Sequence, residues 1–157
     1  MTSVWDDVRS AIATKLNNST GCATAGLRRA LADVDEPLTM VPEARVLQPS
    51  YTMLSQSGSS EEYLLDIPFE LVLSRAGRRS RSNATAAQIA RAIQVEFQTG
   101  VKLGVSISLV TIVDARLLSM EPGLSVYDDQ DAEGNPTFDG YRGVVQVQVF
   151  ESVTRTV

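Results

Sequence analysis

Two short segments of opposite charge hold the side chains best suited to chemistry or recognition. Arginines cluster at Arg75, Arg78, Arg79 and Arg81, and carboxylates cluster at Asp128, Asp129, Asp131 and Glu133. We call these the arginine segment (residues 75–81) and the acidic segment (residues 128–133). Guanidinium groups bind phosphates and carboxylates bidentately, whereas clustered carboxylates hold hard cations such as Ca²⁺. Both segments are therefore candidate sites.

The acidic segment resembles the first half of a calcium-binding loop. Acids occupy alternate positions from Asp129 to Glu133, and a glycine follows at Gly134. The twelfth position of such a loop must supply a bidentate carboxylate, but here it falls on Gly140. We therefore favour a solvated hairpin loop over a calcium site and predict no bound metal.

The arginine segment has two interpretations. It is either a solvated loop or a contact with nucleic acid or with an acidic surface on a partner protein. Gly77 and Ser80 make the segment adaptable, but no aromatic residue is interleaved with the arginines to stack on bases. A protein partner is thus the favoured functional interpretation.

The composition of the chain excludes most kinds of catalytic site. The chain has no histidine and a single cysteine, Cys22. Ser-His-Asp and Cys-His catalysis, His/Cys zinc sites and an axial histidine for haem are therefore excluded within one chain. The acid pairs Asp6–Asp7 and Asp128–Asp129 do not lie at apolar strand ends, where carboxyl pKa values are readily tuned. We expect no enzymatic activity and no cofactor.

The size and charge of the chain fit one domain over residues 1–157. At about 150 residues per domain, 157 residues predict a single unit. The 14 basic and 19 acidic residues give a net charge of −5, which argues against a continuous basic face for nucleic acid. The acidic N-terminus is unlike a signal peptide, and the apolar stretch from Leu103 to Val113 is too short to cross a bilayer. A soluble protein made in a cytoplasm, without membrane contact, is expected.

Apolar residues at helical spacing predict two main helices. Val4, Val8, Ile12 and Leu16 recur every four residues, which predicts a helix from Ser3 to about Ser19. Ile89, Ile93 and Phe97 form a second stripe, which follows a cap at Asn83 or Thr85 and ends at Gly100. A shorter helix is predicted over residues 27–34. Trp5 is interpreted as a core or interface anchor.

Alternating apolar residues predict four strands, at residues 45–54, 61–74, 105–118 and 141–153. The first two form a hairpin with a polar tip at 55–60, and Pro49 and Pro68 are expected at an edge, a bulge or an unpaired position. A long polar connection, Ser119–Gly140, joins the last two. The predicted fold is α+β: a mostly antiparallel four-stranded sheet with two main helices packed on one face and long protruding hairpin loops.

This order of elements, ending in Tyr-Arg-Gly-Val-Val-Gln-Val-Gln-Val-Phe-Glu (141–151), resembles the tail terminator (minor tail, tail-completion) proteins of long-tailed bacteriophages. The resemblance runs from Ser3 to Arg155 and concerns the order and size of the elements. Residues 21–50 depart from the simplest version of the pattern as a longer, proline-rich insertion.

The resemblance implies a structural virion protein without catalysis or cofactor. Such proteins form a ring, usually a hexamer, that caps the growing tail tube, stops its polymerisation and presents a surface to the head connector. DNA passes through the lumen without sequence recognition. The expected location is the head-proximal end of the tail in the virion, and the host cytoplasm during assembly.

Three alternatives remain open. Head–tail joining and neck proteins share a similar outline. A carboxylate-metal-dependent phosphoesterase would use the acidic segment, and a monomeric adaptor would offer a free strand edge to partner strands. Under the ring hypothesis, each subunit contacts its neighbours through two different surfaces. We predict that both charged segments are subunit or partner interfaces: the arginine segment (Arg75, Arg78, Arg79, Arg81) of one subunit meets acidic groups on its neighbour or on a tube protein, with the acidic segment (Asp128, Asp129, Asp131, Glu133) as the candidate on this chain. Charge complementarity would set the register and the choice of partner.

Overall fold

The computed structural model describes residues 4–32, 42–75, 82–98, 110–126 and 137–152. The helices are α1 (Val4–Asn17), α2 (Thr20–Ala25) and α3 (Ser82–Glu96). The strands are β1 (Arg29–Leu31), β2 (Glu43–Val46), β3 (Ser50–Gln56), β4 (Ser60–Arg75), β5 (Val110–Val126) and β6 (Thr137–Ser152).

All the strands belong to one six-stranded sheet in the order β1-β2-β4-β6-β5, with β3 paired to β4. Only β1 and β2 run parallel among the described pairs. β4 and β6 pair along their whole lengths, from Ser60 opposite Ser152 to Arg75 opposite Phe138. The α+β class and the mostly antiparallel sheet are confirmed, while the predicted count of four strands rises to six.

The two additional strands have local causes. The predicted strand 45–54 divides into β2 and β3, which follow each other along the same side of β4 with Pro49 in the gap between them. The β3–β4 hairpin itself is confirmed, with a tip in which the Ser57 amide donates to the Ser60 carbonyl at 2.8 Å. β1 is the other addition and lies where the short helix over 27–34 was predicted.

That short-helix prediction is wrong in position because two capping residues place the helix earlier. Ser19 accepts a hydrogen bond from the Cys22 amide and so caps the N-terminus of α2. Gly26 ends it in the left-handed conformation, with φ of 115°. The chain then leaves in an extended conformation, and Ala30 pairs with Ala44 of β2.

The core lies on one face of the sheet, under the helices. Odd-numbered residues of β4 from Tyr63 to Leu73 are buried, as the alternation predicted, and α1 and α3 cover them. The buried contributors from the other elements are Val8, Ile12 and Leu16 of α1, Ile89 and Ile93 of α3, Phe97, and Val145, Val147 and Val149 of β6. Full burial of each such side chain stabilises by about 1.5–3 kcal/mol, so packing on this face organises the domain.

The last hairpin is much longer than the sequence pattern indicates. β5 continues to Val126 and β6 begins at Thr137, so most of the predicted polar connection, Ser119–Gly140, is paired strand. Two register shifts in β5, between Ile112 and Asp114 and between Leu117 and Ser119, interrupt the apolar alternation. Each bulge moves the residues that follow it to the other face of the sheet. The continuation of the strand therefore lacks the regular alternation of apolar and polar residues by which a strand is predicted.

Other boundary predictions have mixed outcomes. α1 and β4 lie close to their predicted ranges, whereas α3 begins at Ser82, ahead of both predicted caps. The predicted cap at Ser3, the helix end at Gly100 and the strand residues 105–109 lie outside the described residues. Pro68 causes no bulge, because it stays in register with Val144 of β6. On the side that faces β2 and β3, Pro68 has no N–H to donate. Only one of the two hydrogen bonds at that position therefore forms, from the Leu47 amide to the Pro68 carbonyl at 2.8 Å.

Candidate interaction surfaces

The predicted site residues are only partly visible in the fold. Arg75 is the last residue of β4 and pairs with Phe138. The remaining seven lie outside the described residues: Arg78, Arg79, Arg81, Asp128, Asp129, Asp131 and Glu133. Their attachment points are nevertheless defined, because β4 and α3 flank the arginine segment and β5 and β6 flank the acidic segment.

Both charged segments leave the sheet at the same end. Arg75 lies opposite Phe138, and Phe138 lies opposite Ser125, so the three residues form a row across β4, β6 and β5. Two strand spacings amount to about 10 Å. The segments of opposite charge therefore start close together in one subunit, at what we call the charged end of the sheet.

The sheet face opposite the helices carries a ladder of polar side chains, which we call the polar face. The Gln146 amide donates to an Asp66 carboxylate oxygen at 3.0 Å, and the next amide along β6, on Gln148, donates to Glu62. Glu70 and Arg142 form an ion pair at 3.6 Å between Oε1 and Nε. β6 thus pairs amide and guanidinium groups with the acids of β4.

The polar face has an excess of negative charge. By strand register its described acids on β4 and β5 are Glu62, Asp66, Glu70, Asp114 and Glu121, and its described bases on β5 and β6 are Arg116 and Arg142. Towards β1 the same face also carries Arg29, Glu43 and Arg45, which form ion pairs with one another. Nucleic acid binding depends on cations that neutralise phosphates. An excess of negative charge on this face disfavours contact with phosphates.

An exposed aromatic surface forms where the N-terminus of α1 meets β3. The indole of Trp5 stacks on the ring of Tyr51 at 5.5 Å between centroids, with 26° between the planes. The Tyr51 hydroxyl contacts the sulfur of Met53 at 3.5 Å. Trp5, Tyr51 and Met53 are 36%, 41% and 36% exposed, and we call them the aromatic surface. Tryptophan, tyrosine and methionine are enriched at protein–protein interfaces.

A buried tyrosine anchors this surface to the sheet. Tyr63 packs against Tyr51 at 5.3 Å and donates its hydroxyl proton to a Glu151 oxygen at 2.9 Å. Burial raises the pKa of Tyr63 well above its ordinary value, and the hydrogen bond to Glu151 adds to the rise. Glu61 of β4 lies directly opposite Glu151 of β6, so two carboxylates adjoin the aromatic surface.

Sequence reasoning identified only part of this surface. Trp5 was predicted as a core or interface anchor, and its stacking on Tyr51 at 36% exposure fits the interface role better than the core. Tyr51 and Met53 were not singled out. Their signal is an edge strand of seven exposed residues without charge or proline, which natural sheets usually avoid.

A groove of about 620 Å³ lies on the helix side of the sheet, between α3 and β5. Its lining includes Ala90 and Phe97, Leu117 and Met120 of β5, and Tyr141 of β6. In the described part of the chain, no group of three or more acidic or cysteine side chains is arranged to hold a metal ion. Nor is any described helix both long and apolar enough to span a membrane.

Comparison with known proteins relates the fold to a virion. No protein-family model matches the chain, and no curated protein matches it in sequence. The structure is similar to a chain of a solved structure described as the virion of a native gene transfer agent (GTA) particle. The TM-score is 0.54 at 15% identity, and the match covers 88% of this chain and 94% of that chain. At this identity, the two chains are shown to share a fold.

Proposed function

We propose that the protein is a structural virion component: a tail terminator that forms a ring, caps the tail tube and joins it to the head connector. The observation that carries the proposal is the shared fold with a chain of a gene transfer agent virion particle over 88% of this chain and 94% of that one. The order of elements that resembles tail terminators gives independent support.

The described sheet suits a ring subunit because its two edges differ. β3 lies at one side with seven exposed residues, and β5 lies at the other with two register shifts and Pro122. A subunit with two unlike sides makes head-to-tail contacts, and such contacts close into a ring when the rotation between copies allows it. A hexamer is the proposed copy number, and the tube protein and the connector are the proposed neighbours.

The polar face is the proposed lining of the lumen. On β4, β5 and β6 its five described acids exceed its two described arginines, so phosphates passing along these strands are repelled. Hydrogen bonds such as that from Gln146 to Asp66 hold the side chains in place. DNA would then slide without sequence recognition. Neither enzymatic activity nor a cofactor is part of this function.

Depletion of the protein during particle production tests the terminator role. Electron microscopy of the resulting lysates should show overlong or ragged tail tubes. Normal free tails beside unjoined heads would instead indicate a head–tail joining protein. Intact, infectious particles at normal yield would contradict both virion roles.

Sedimentation and negative-stain imaging of the purified protein test the ring. Rings of about six copies support the proposal. A monomer that hydrolyses phosphodiesters when magnesium is added would favour the phosphoesterase alternative, in which the acidic segment holds the metal ion. An Asp129→Asn/Asp131→Asn variant should lose that hydrolysis if the acidic segment holds the metal ion.

A further inference from the structure

The aromatic surface has the chemistry of a receptor for arginine. Trp5 and Tyr51 present stacked rings that are 36% and 41% exposed. An arginine side chain stacks its planar guanidinium on such rings and is attracted by their negative faces. Tyr51 and Met53 lie on an edge strand without any charged residue, so an incoming cation meets no repulsion from β3 itself.

Two carboxylates beside the rings add charge complementarity. Glu61 and Glu151 face each other across β4 and β6 on the same side of the sheet as Tyr63. Glu61 accepts a hydrogen bond from the Gln56 side-chain amide at 3.2 Å, and Glu151 accepts one from the Tyr63 hydroxyl at 2.9 Å. These contacts hold both carboxylates at the sheet, where their negative charge attracts a guanidinium. Rings for stacking and carboxylates for ion pairing together favour arginine over lysine, because only arginine serves both with one planar group.

On the basis of the proposed ring, we infer that the aromatic surface of one subunit binds the arginine segment (residues 75–81) of its neighbour. The segment supplies four arginines and no acid. The receptor supplies exposed rings and the adjacent Glu61 and Glu151. Donor and receptor are different surfaces, as a closed head-to-tail ring requires.

The length of β4 makes this contact intermolecular. Tyr63, beneath the receptor, and Arg75, at the start of the donor, lie twelve positions apart on this continuous strand. At about 3.3 Å per residue they are on the order of 40 Å apart. The six residue steps from Arg75 to Arg81 reach at most about 21 Å. The segment therefore cannot reach the aromatic surface of its own chain.

The competing partner is the acidic segment of the same chain. It leaves the sheet at the charged end, about 10 Å from Arg75. If it neutralised the arginines within each subunit, disruption of the aromatic surface would leave assembly intact. That difference makes the two arrangements separable by mutation.

The experiment uses one donor variant and one receptor variant of the full chain. Arg78→Glu/Arg79→Glu disables the arginine segment, which is the donor. Tyr51→Thr/Met53→Thr disables the aromatic surface, which is the receptor; both positions are exposed, and threonine is a residue that strands favour. Each variant alone should need a roughly tenfold or higher concentration to form rings, in line with loss of an interface hot spot. In an equimolar mixture of the two variants, the intact arginine segment of one can bind the intact aromatic surface of the other, but no further contact can form. Mass photometry of the mixture should therefore show dimers and no rings.

Matched controls separate binding from folding. Val95→Thr alters an exposed apolar residue on α3, away from both sides of the sheet, and should assemble like the wild type. Arg78→Lys/Arg79→Lys keeps the charge and should assemble more weakly than the wild type, because lysine lacks the stacking plane. Far-ultraviolet circular dichroism and thermal melts establish that each variant is folded.

Crosslinking gives a second measurement that does not depend on variant stability. Benzoylphenylalanine in place of Met53 should crosslink to residues 76–81 in rings built from mixed ¹⁴N and ¹⁵N subunits, and the linked peptides should carry unlike labels. Rings of unaltered stability in both the donor and the receptor variant, or in the receptor variant alone, overturn this inference and leave the ring intact. A wild-type protein that never assembles overturns the proposed ring itself.

Discussion

The Nε atom of Arg9 donates a hydrogen bond of 2.9 Å to the carbonyl oxygen of Leu47. Leu47 faces Pro68 across the ladder, where its amide bonds the Pro68 carbonyl but receives no N–H in return, because proline has none. Arg9 supplies the missing donor. The same guanidinium donates to the carbonyls of Val46, at 2.8 Å, and Ala32, and it is 5% exposed.

Replacement of Arg9 by alanine should therefore destabilise the fold strongly. It leaves three carbonyls at the ends of β1 and β2 without the side-chain donor that ties them to α1. We expect a loss of about 3 kcal/mol in the free energy of unfolding, measured by urea denaturation. Arg91→Ala, at an exposed position of α3, should change it by less than about 0.5 kcal/mol.

A double-mutant cycle with Pro68 tests whether the Arg9 guanidinium replaces the missing backbone amide as the donor to the Leu47 carbonyl. Pro68→Ala restores a backbone amide opposite Leu47, so the Arg9→Ala change should cost less in that background. A coupling energy of about 1 kcal/mol is expected. Strict additivity of the two changes would show that Arg9 does not stand in for the missing amide.

Two glycines of β6 permit close approach between neighbouring strands. A Cβ atom on Gly143 would lie 2.5 Å from Cζ of Phe69 and 2.9 Å from the Ser119 carbonyl oxygen. On Gly140 it would overlap the backbone carbonyl of Leu71. Gly143→Ala should lower the free energy of unfolding by about 2 kcal/mol, and Gly140→Ala by more, since backbone cannot move aside as a ring can.

Chemical denaturation of both glycine variants measures this effect. Gly58→Ala is the control, because a Cβ there meets nothing within 4 Å. Phe69→Leu in the Gly143→Ala background should recover part of the loss by removing the clashing ring. Wild-type stability in Gly143→Ala would contradict the tight β4–β6–β5 contact described above.

Ser19 connects α2 with both main helices. Its hydroxyl caps α2 at the Cys22 amide and lies 2.5 Å from Oε1 of Glu96 in α3. Glu96 in turn pairs with Lys15 of α1 at 3.5 Å. Ser19→Ala should cost about 1–2 kcal/mol in the free energy of unfolding. Thr20→Ala, at the neighbouring exposed position, should cost less than half as much, and equal losses would argue against the capping role.

The sequence predicts those parts of the fold in which apolar periodicity and burial coincide. The stripe from Val8 to Leu16 and the alternation from Tyr63 to Leu73 are local patterns that the core uses directly. β1 could not be predicted in this way, because its three residues are held by pairing with β2. Nor could the full length of β5, since its two bulges break the period that identifies a strand.

The candidate sites, like the fold, could be predicted from the sequence only in part. The charged segments are visible in the sequence as runs of like residues. That both leave the same end of the sheet follows from the pairing of Arg75 with Phe138 and of Phe138 with Ser125, which no local pattern contains. The aromatic surface likewise brings together Trp5 and Tyr51, which are 46 positions apart, and only the packing of α1 beside β3 makes them neighbours.

Tyr63 should make stability fall at high pH. Burial and the hydrogen bond to Glu151 raise the pKa of Tyr63 in the folded state. The folded chain therefore keeps a proton that the unfolded chain loses above about pH 10. The contribution of Tyr63 to the free energy of unfolding is therefore fully present below the pKa of the unfolded state. It is lost as the pH rises towards the pKa of the folded state, by up to about 1.4 kcal/mol per pH unit.

Urea denaturation at pH 8, 10 and 11 measures this slope. Tyr63→Phe loses the hydrogen bond to Glu151 and should be less stable at pH 8, but it should decline less steeply above pH 10 because it has no proton to lose. Tyr51→Phe keeps Tyr63 and should retain the wild-type slope. Since Cys22, whose pKa burial also raises, is present in all three proteins, its contribution cancels in the comparison. Parallel declines in Tyr63→Phe and the wild type would show that another group controls the alkaline loss.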